Sequence, residues 1–131
     1  MTALRNWTER ELAQISASAE LTIAVPRRDG GWRAAVPIWV VTAGGSVYVR
    51  TWRRRETGWY SGALRSGEAR VTVPGLEVHV SVTDVSGDPA VRAAVDDAYR
   101  RKYGGGSGSD TVSGTVTDDA ARTTLRLSPR A

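Results

Sequence analysis

The chain reads as a mainly β protein, an antiparallel sheet or barrel of about six strands with two to three helices. Three observations predict this. Turn pairs, Asp29-Gly30, Gly44-Gly45 and Pro74-Gly75, separate short runs rich in Val, Ile and Thr. Several of those runs alternate apolar and polar residues with the period of two that strands impose. No Gly-x-Gly-x-x-Gly follows a strand and no Walker loop is present, which argues against a series of βαβ units.

The elements follow in order. Residues 7–19 predict a helix: Thr8 is a cap candidate, Glu11 stands three positions later as in a capping box, and Leu12, Ile15 and Ala19 form one stripe. Leu21 to Pro26 is a first strand. Arg28-Asp29-Gly30-Gly31 is a hairpin turn, since Asp-Gly suits the positive φ of a tight turn. Trp32 to Thr42 is a second strand. Its centre, Val36 to Val41, is apolar on both faces and is expected to be buried on both, against a barrel interior and against a helix or second subunit.

Val47 to Trp52 is a third strand. Val47, Val49 and Thr51 face one way, and Tyr48, Arg50 and Trp52 the other. Thr57 is a cap candidate for a short helix from Trp59 to Ser66. Ala69 to Val73 and Leu76 to Val85 are the fourth and fifth strands, the latter with Val78, Val80 and Val82 inward and His79 outward. Asp88-Pro89 opens a helix running to about Tyr103. Residues 104–110 form a Gly/Ser-rich flexible segment by composition. Arg122 to Leu127 is the last strand.

Composition excludes several functions. At 131 residues the chain fits one domain, 1–131, large enough to bury a core without staples. There is no cysteine, so disulfides, thiolate metal sites and cysteine nucleophiles are ruled out. His79 is the single histidine and no metal site is expected. On a helix, Asp96 and Asp97 point about 100° apart; pairing with Arg92, Arg100 and Arg101 explains them better than a metal does. No Gly-x-Ser-x-Gly elbow supports acyl transfer. The first residues carry charge and no apolar h-region, and no run of about 20 apolar residues occurs, so a cytoplasmic protein is expected.

The strongest functional signal is the stretch from Tyr48 to Tyr60. Arg50, Arg53, Arg54 and Arg55 lie among Trp52, Trp59 and Tyr60. Guanidinium groups bind phosphates with paired hydrogen bonds, and aromatic faces stack on rings. Most arginine runs are solvated loops, but flanking tryptophans are unusual on one. The stretch therefore predicts a site for an anionic, ring-bearing small molecule.

The residues also resemble a known group. Trp7, Glu11-Leu12, Glu20-Leu21, Arg28-Asp29-Gly30, Val36 to Val41, Val47 to Trp52, Gly58-Trp59-Tyr60, Ala98 to Gly104 and Thr123 to Leu127 resemble an uncharacterised bacterial family within the FMN- and deazaflavin-binding split β-barrel superfamily. That superfamily includes pyridoxamine-phosphate oxidase-like proteins and deazaflavin-dependent nitroreductases. The resemblance implies an antiparallel split barrel, a homodimer, and FMN or a deazaflavin coenzyme as cofactor. It assigns the cofactor phosphate to Arg50, Thr51, Arg53, Arg54 and Arg55, with Trp52, Trp59 and Tyr60 beside it. Pro37, Ile38 and Trp39 would line the ring. The run Arg53-Arg54-Arg55-Glu56 departs from the Gly-rich, lysine-bearing loop of the deazaflavin enzymes.

The expected activity is hydride transfer to a small organic acceptor. The alternative is a cofactor-free small-molecule-binding split barrel without redox activity, with the arginines folded into internal ion pairs. A nucleic-acid partner has little support, because one short basic stretch and a net charge of +4 are a weak footprint.

Overall fold

The structure is a computed structural model that describes residues 3–51, 58–103 and 123–130. Seven strands form one antiparallel sheet: β1 (Leu21–Ala24), β2 (Val36–Ile38), β3 (Val41–Ala43), β4 (Ser46–Val49), β5 (Glu68–Val73), β6 (Leu76–Asp84) and β7 (Leu125–Pro129). Their order is β2-β1-β5-β6-β7-β4-β3. Three helices complete the fold: α1 (Glu9–Ala17), α2 (Gly58–Ser66) and α3 (Pro89–Tyr103). The mainly β, antiparallel class read from the sequence is the class observed.

The seventh strand arises because the second predicted strand divides. Val36 and Ile38 pair with Ile23 and Leu21 on β1, whereas Val41 and Ala43 pair with Tyr48 and Ser46 on β4. β2 and β3 are the two edges of the sheet, yet they are neighbours in the chain. Only Trp39 and Val40 lie between them, so the sheet curls into a half-barrel whose edges meet at this seam.

A backbone that changes edges loses its ladder partners, and its polar groups need others. Helix α3 supplies them. The Val40 N–H donates to the Tyr103 hydroxyl at 3.2 Å, that hydroxyl donates to the Ala19 carbonyl at 2.7 Å, and Lys102 Nζ donates to the Val40 carbonyl at 2.8 Å. The Trp39 ring stacks on Tyr103 with centroids 3.9 Å apart.

The seam also corrects the expected burial. Val40 and Val41 are buried, Val40 in the barrel core and Val41 beneath α3, but Val36 and Pro37 are exposed. The apolar run is continuous in sequence, but it crosses from a covered part of the wall to an edge.

Alternation along β4 fills two cores. Val47 and Val49 enter the barrel with Ile23, Val71, Val80, Leu125 and Leu127. Tyr48 points outward and packs with Val41, Val95, Ala98 and Tyr99 under α3. Each fully buried Val, Leu or Ile contributes roughly 1.5–3 kcal/mol relative to exposure. At the start of α1, Thr8 accepts from the Glu11 N–H at 3.1 Å and Glu11 accepts from the Thr8 N–H at 2.9 Å, the capping box read from the sequence. Trp7 lies just before this helix and donates through Nε1 to the Leu127 carbonyl at 3.0 Å.

Candidate functional site

A groove of about 610 Å³ opens between the β1–β2 hairpin and α2, within the usual range for small-molecule sites. Its floor includes Ile23 and Val25. One wall is the hairpin, with Arg27, Arg28, Arg33, Ala34 and Val36; the other is α2, with Gly58, Trp59 and Arg65. Four arginines therefore converge on one concave surface.

Local chemistry builds both walls. In the hairpin turn Gly30 adopts φ 93°, a region that only glycine enters freely. The Asp29 side chain accepts from the Gly31 N–H at 2.9 Å, and the Arg33 N–H bonds to the Val25 carbonyl at 2.9 Å. Helix α2 lies close against the sheet because Gly62 has no Cβ. A Cβ there would meet Val25 Cγ2 at 2.6 Å. Arg65 reaches across and donates to the Pro26 carbonyl at 2.7 Å, tying α2 to the hairpin.

The groove's electrostatics are lopsided. Arg27 makes a long, exposed contact of 3.5 Å with Asp29. Among the described residues no carboxylate pairs with Arg28, Arg33 or Arg65. The first turn of α2 adds backbone N–H groups that lack intrahelical partners. Trp59, half-buried, sets its ring edge-on to Tyr60, with centroids 5.9 Å apart.

The residues expected from sequence fall into three groups. Trp59 lines the groove, and Val36 brings the start of β2 to it, with Pro37 and Ile38 following on that strand. Tyr60 is buried in the barrel core, and Trp39 is stacked on Tyr103 at the seam. Trp52, Arg53, Arg54 and Arg55, like the Thr57 cap and residues 104–110, lie outside the described residues.

Arg50 is the clearest departure. Its side chain is fully buried and sits 2.6 Å from Asp96 Oδ1. Its Nε donates to Thr124 Oγ1 at 2.8 Å, and its guanidinium lies 5.5 Å from the centre of the Tyr99 ring. Burial pushes the Tyr99 hydroxyl far above its ordinary pKa. The outward face of β4 is thus covered by α3. Asp96 was expected to pair only along its helix; it does approach Arg92, at 3.9 Å, but its nearer partner is Arg50. Thr51 is tied through its backbone to Thr123 by bonds of 3.0 and 2.7 Å.

Arg27, Arg28, Arg33 and Arg65 were missed as site residues. Arg27 and Arg28 flank a turn, which reads as ordinary solvated charge, and Arg65 lies far off in sequence. The available signal was the period of two about the hairpin: Arg33 stands opposite Val25, which puts it on the side of Arg27. Among the described residues no cluster of three His, Cys, Asp or Glu side chains could hold a metal ion. No helix among them is long and apolar enough to cross a membrane.

The curled antiparallel sheet with its groove beside α2 defines a split-barrel protein. Residues 11–127 match the family described as uncharacterized proteins conserved in bacteria, DUF2255, and the chain belongs to that family. Solved structures share the fold. A proposed 5-nitroimidazole antibiotic resistance protein from Bacteroides thetaiotaomicron is similar at TM-score 0.62 and 12% identity, over 99% of this chain and 83% of that one. A conserved hypothetical protein from Mycobacterium tuberculosis is similar at TM-score 0.62 and 13% identity, over 98% and 82%. A NimC/NimA family protein from Clostridium acetobutylicum is similar at TM-score 0.54 and 11% identity, over 93% and 79%. No curated protein is similar enough to this chain to count as a relative.

Proposed function

We propose that this protein binds FMN or a deazaflavin coenzyme in the groove between the hairpin and α2, and acts as an oxidoreductase on a small organic acceptor. The observation that carries this reading is the set of arginines converging beside Trp59, three of them without a carboxylate partner among the described residues. Guanidinium groups that no carboxylate neutralises are suited to an external anion, and charge-assisted bonds to a phosphate each contribute roughly 1.5–3 kcal/mol.

The residues fit such a group. Arg28, Arg33 and Arg65 would hold the phosphate, together with the α2 N-terminus. Arg53, Arg54 and Arg55 precede that helix in the chain and belong to the same proposal, as does Trp52. Trp59 would face the ring, with Val36 at the wall and Pro37 and Ile38 beyond it on β2. The bound coenzyme supplies the hydride chemistry; the chain's own part is to neutralise the phosphate, to orient the ring and to shield one side of it with the apolar floor of Ile23 and Val25.

In this reading Tyr60 anchors the α2 wall in the core, while Arg50, Thr51 and Trp39 serve the packing around α3 and the seam. The nitroimidazole-resistance neighbours add support for a planar aromatic acceptor. The reading includes a cytoplasmic location and a homodimer, for which the exposed Val36, Pro37 and Leu64 offer apolar surface.

Titration of the purified protein with FMN and with a deazaflavin coenzyme, followed by fluorescence, tests the proposal. Micromolar binding of either one is expected, and the Arg28→Ala, Arg33→Ala double variant should weaken it at least tenfold. No binding of either coenzyme would overturn the reading and leave a cofactor-free binding protein as the alternative.

A further inference from the structure

The groove's arginine wall has an anchor on the opposite side of the sheet. The ladder between β1 and β5 ends where Ala24 stands opposite Arg70. Beyond that point the hairpin runs on through residues 25–35, and its backbone bonds are internal. The Arg27 N–H donates to the Gly31 carbonyl at 2.6 Å, the Gly30 N–H to the Arg27 carbonyl at 3.1 Å and the Arg33 N–H to the Val25 carbonyl at 2.9 Å. These bonds shape the hairpin but do not aim it. Among the described residues two side chains do that. Arg65 holds the Pro26 carbonyl from the α2 side, and Trp32 holds the outer face of the sheet.

Trp32 stands opposite Pro26, so by the period of two it faces away from the side of Val25 and Arg33. Its ring lies against Arg70 and His79, which stand opposite each other on β5 and β6. The Arg70 guanidinium carbon is 4.4 Å from the ring centre, a cation–π arrangement. His79 meets the ring edge to face, with centroids 5.7 Å apart and planes at 79°, a geometry that aromatic quadrupoles favour. Both partners are themselves braced. His79 Nε2 is 3.4 Å from Glu68 Oε1, Glu68 Oε2 is 3.4 Å from Arg130, and Arg130 Nε donates to Ser81 Oγ at 3.1 Å. Arg70 Nε is 3.9 Å from Glu77. Neither Trp32 nor any of these residues lines the groove.

We infer that Trp32 is a positioning residue for the groove, a latch on the far face of the sheet that aims the hairpin and thereby sets how tightly the arginine wall grips an anionic ligand. The inference rests on the reading of the groove as a ligand site, with a coenzyme phosphate as the anion. Trp32 and Arg33 are consecutive in one arm of the hairpin and point to opposite sides, so a ring held outside fixes the direction in which Arg33 enters the groove. With the ring gone, the hairpin pivots about the Arg65–Pro26 contact, and Arg27, Arg28 and Arg33 no longer converge with Arg65. A wall that is ordered beforehand loses less freedom on binding and holds its ligand more tightly.

The test compares Trp32→Ala, Trp32→Phe and Arg70→Ala with the wild type by amide hydrogen exchange and by coenzyme titration. In Trp32→Ala the Gly30 and Arg33 amides should exchange at least about tenfold faster, while those of Val71 and Val80 in the adjoining strands stay unchanged. Affinity for FMN or the deazaflavin coenzyme should fall at least about fivefold in Trp32→Ala and severalfold in Arg70→Ala, whereas Trp32→Phe, which keeps a ring against Arg70, should stay within about twofold of the wild type. Unchanged hairpin exchange overturns the inference. Acceleration spread equally through the sheet also overturns it, because it marks a residue that merely stabilises the fold. So does unaltered affinity beside faster hairpin exchange. If the wild type binds neither coenzyme, the coenzyme reading fails by itself, and the same proteins are titrated calorimetrically with inorganic pyrophosphate. The same order of affinities is then expected; equal affinities, or no binding, overturn the inference.

Discussion

Arg50 and the groove arginines carry the same guanidinium group into opposite surroundings. Arg50 is sealed beneath α3 against Asp96, Thr124 and the Tyr99 ring. Arg28 and Arg33 stand exposed with no carboxylate beside them among the described residues. A buried charge has to find a partner within the protein, because desolvation is too costly otherwise. An exposed one keeps water and stays available. The difference shows that burial, more than clustering in sequence, decides which arginine can serve a ligand.

Breaking the buried pair should give the largest effect. Asp96→Ala leaves the Arg50 charge with its nearest counter-charge removed, and a loss of about 3–5 kcal/mol in urea unfolding is expected. The Arg50→Met, Asp96→Leu double variant should recover much of that loss, since an apolar pair of similar volume suits the same site. A small effect for the single variant would mean that water reaches Arg50, and the contrast with the groove would collapse.

The groove side of the comparison predicts a split between binding and stability. Arg33→Ala should weaken coenzyme binding by roughly 1.5–3 kcal/mol, while the unfolding free energy changes by less than about 0.5 kcal/mol, as for exposed substitutions generally. Gly62→Ala sharpens the same region from the inside. The added methyl would press on Val25 Cγ2, and overpacking of this kind costs about 1–3 kcal/mol. Because Gly62 sets the distance between α2 and the hairpin, this variant should lower both stability and coenzyme affinity.

Much of this fold was legible because alternation and turn chemistry are local. The inward sets Val47 and Val49, Val78 and Val80, and Leu125 and Leu127 all enter the core as the period of two requires. The capping box at Thr8 and Glu11 also forms as read. The division of the Trp32–Thr42 strand was not legible, since an apolar run looks the same whether it stays in one sheet position or crosses between edges. The site was legible only in part. Trp59 lines the groove, but the convergence of Arg27, Arg28, Arg33 and Arg65 depends on how α2 docks, and that rests on the close approach of Gly62 to Val25. The same limit hid the partner of Arg50, because Asp96 lies 46 positions away along the chain.

The pair Arg5–Glu11 tests the comparison at its weak end. Two contacts of 2.7 and 2.8 Å join them, and the Arg5 side chain is 36% exposed. The Arg5 guanidinium, with help from the Thr8 N–H, holds the Glu11 carboxyl down from 4.5 to about 2. A carboxyl whose pKa is lower in the folded state stabilises the fold above its unfolded pKa. That contribution should be complete above pH 4.5 and fade as pH falls towards about 2. Glu11→Gln should flatten this acid dependence in urea unfolding, because the amide does not titrate. Thr8→Ala removes the other half of the capping box and should cost about 1 kcal/mol at neutral pH. Both effects should stay well below that of Asp96→Ala. If Glu11→Gln proved as damaging as Asp96→Ala, exposure would not be what separates these ion pairs, and the distinction drawn between Arg50 and the groove arginines would lose its physical basis.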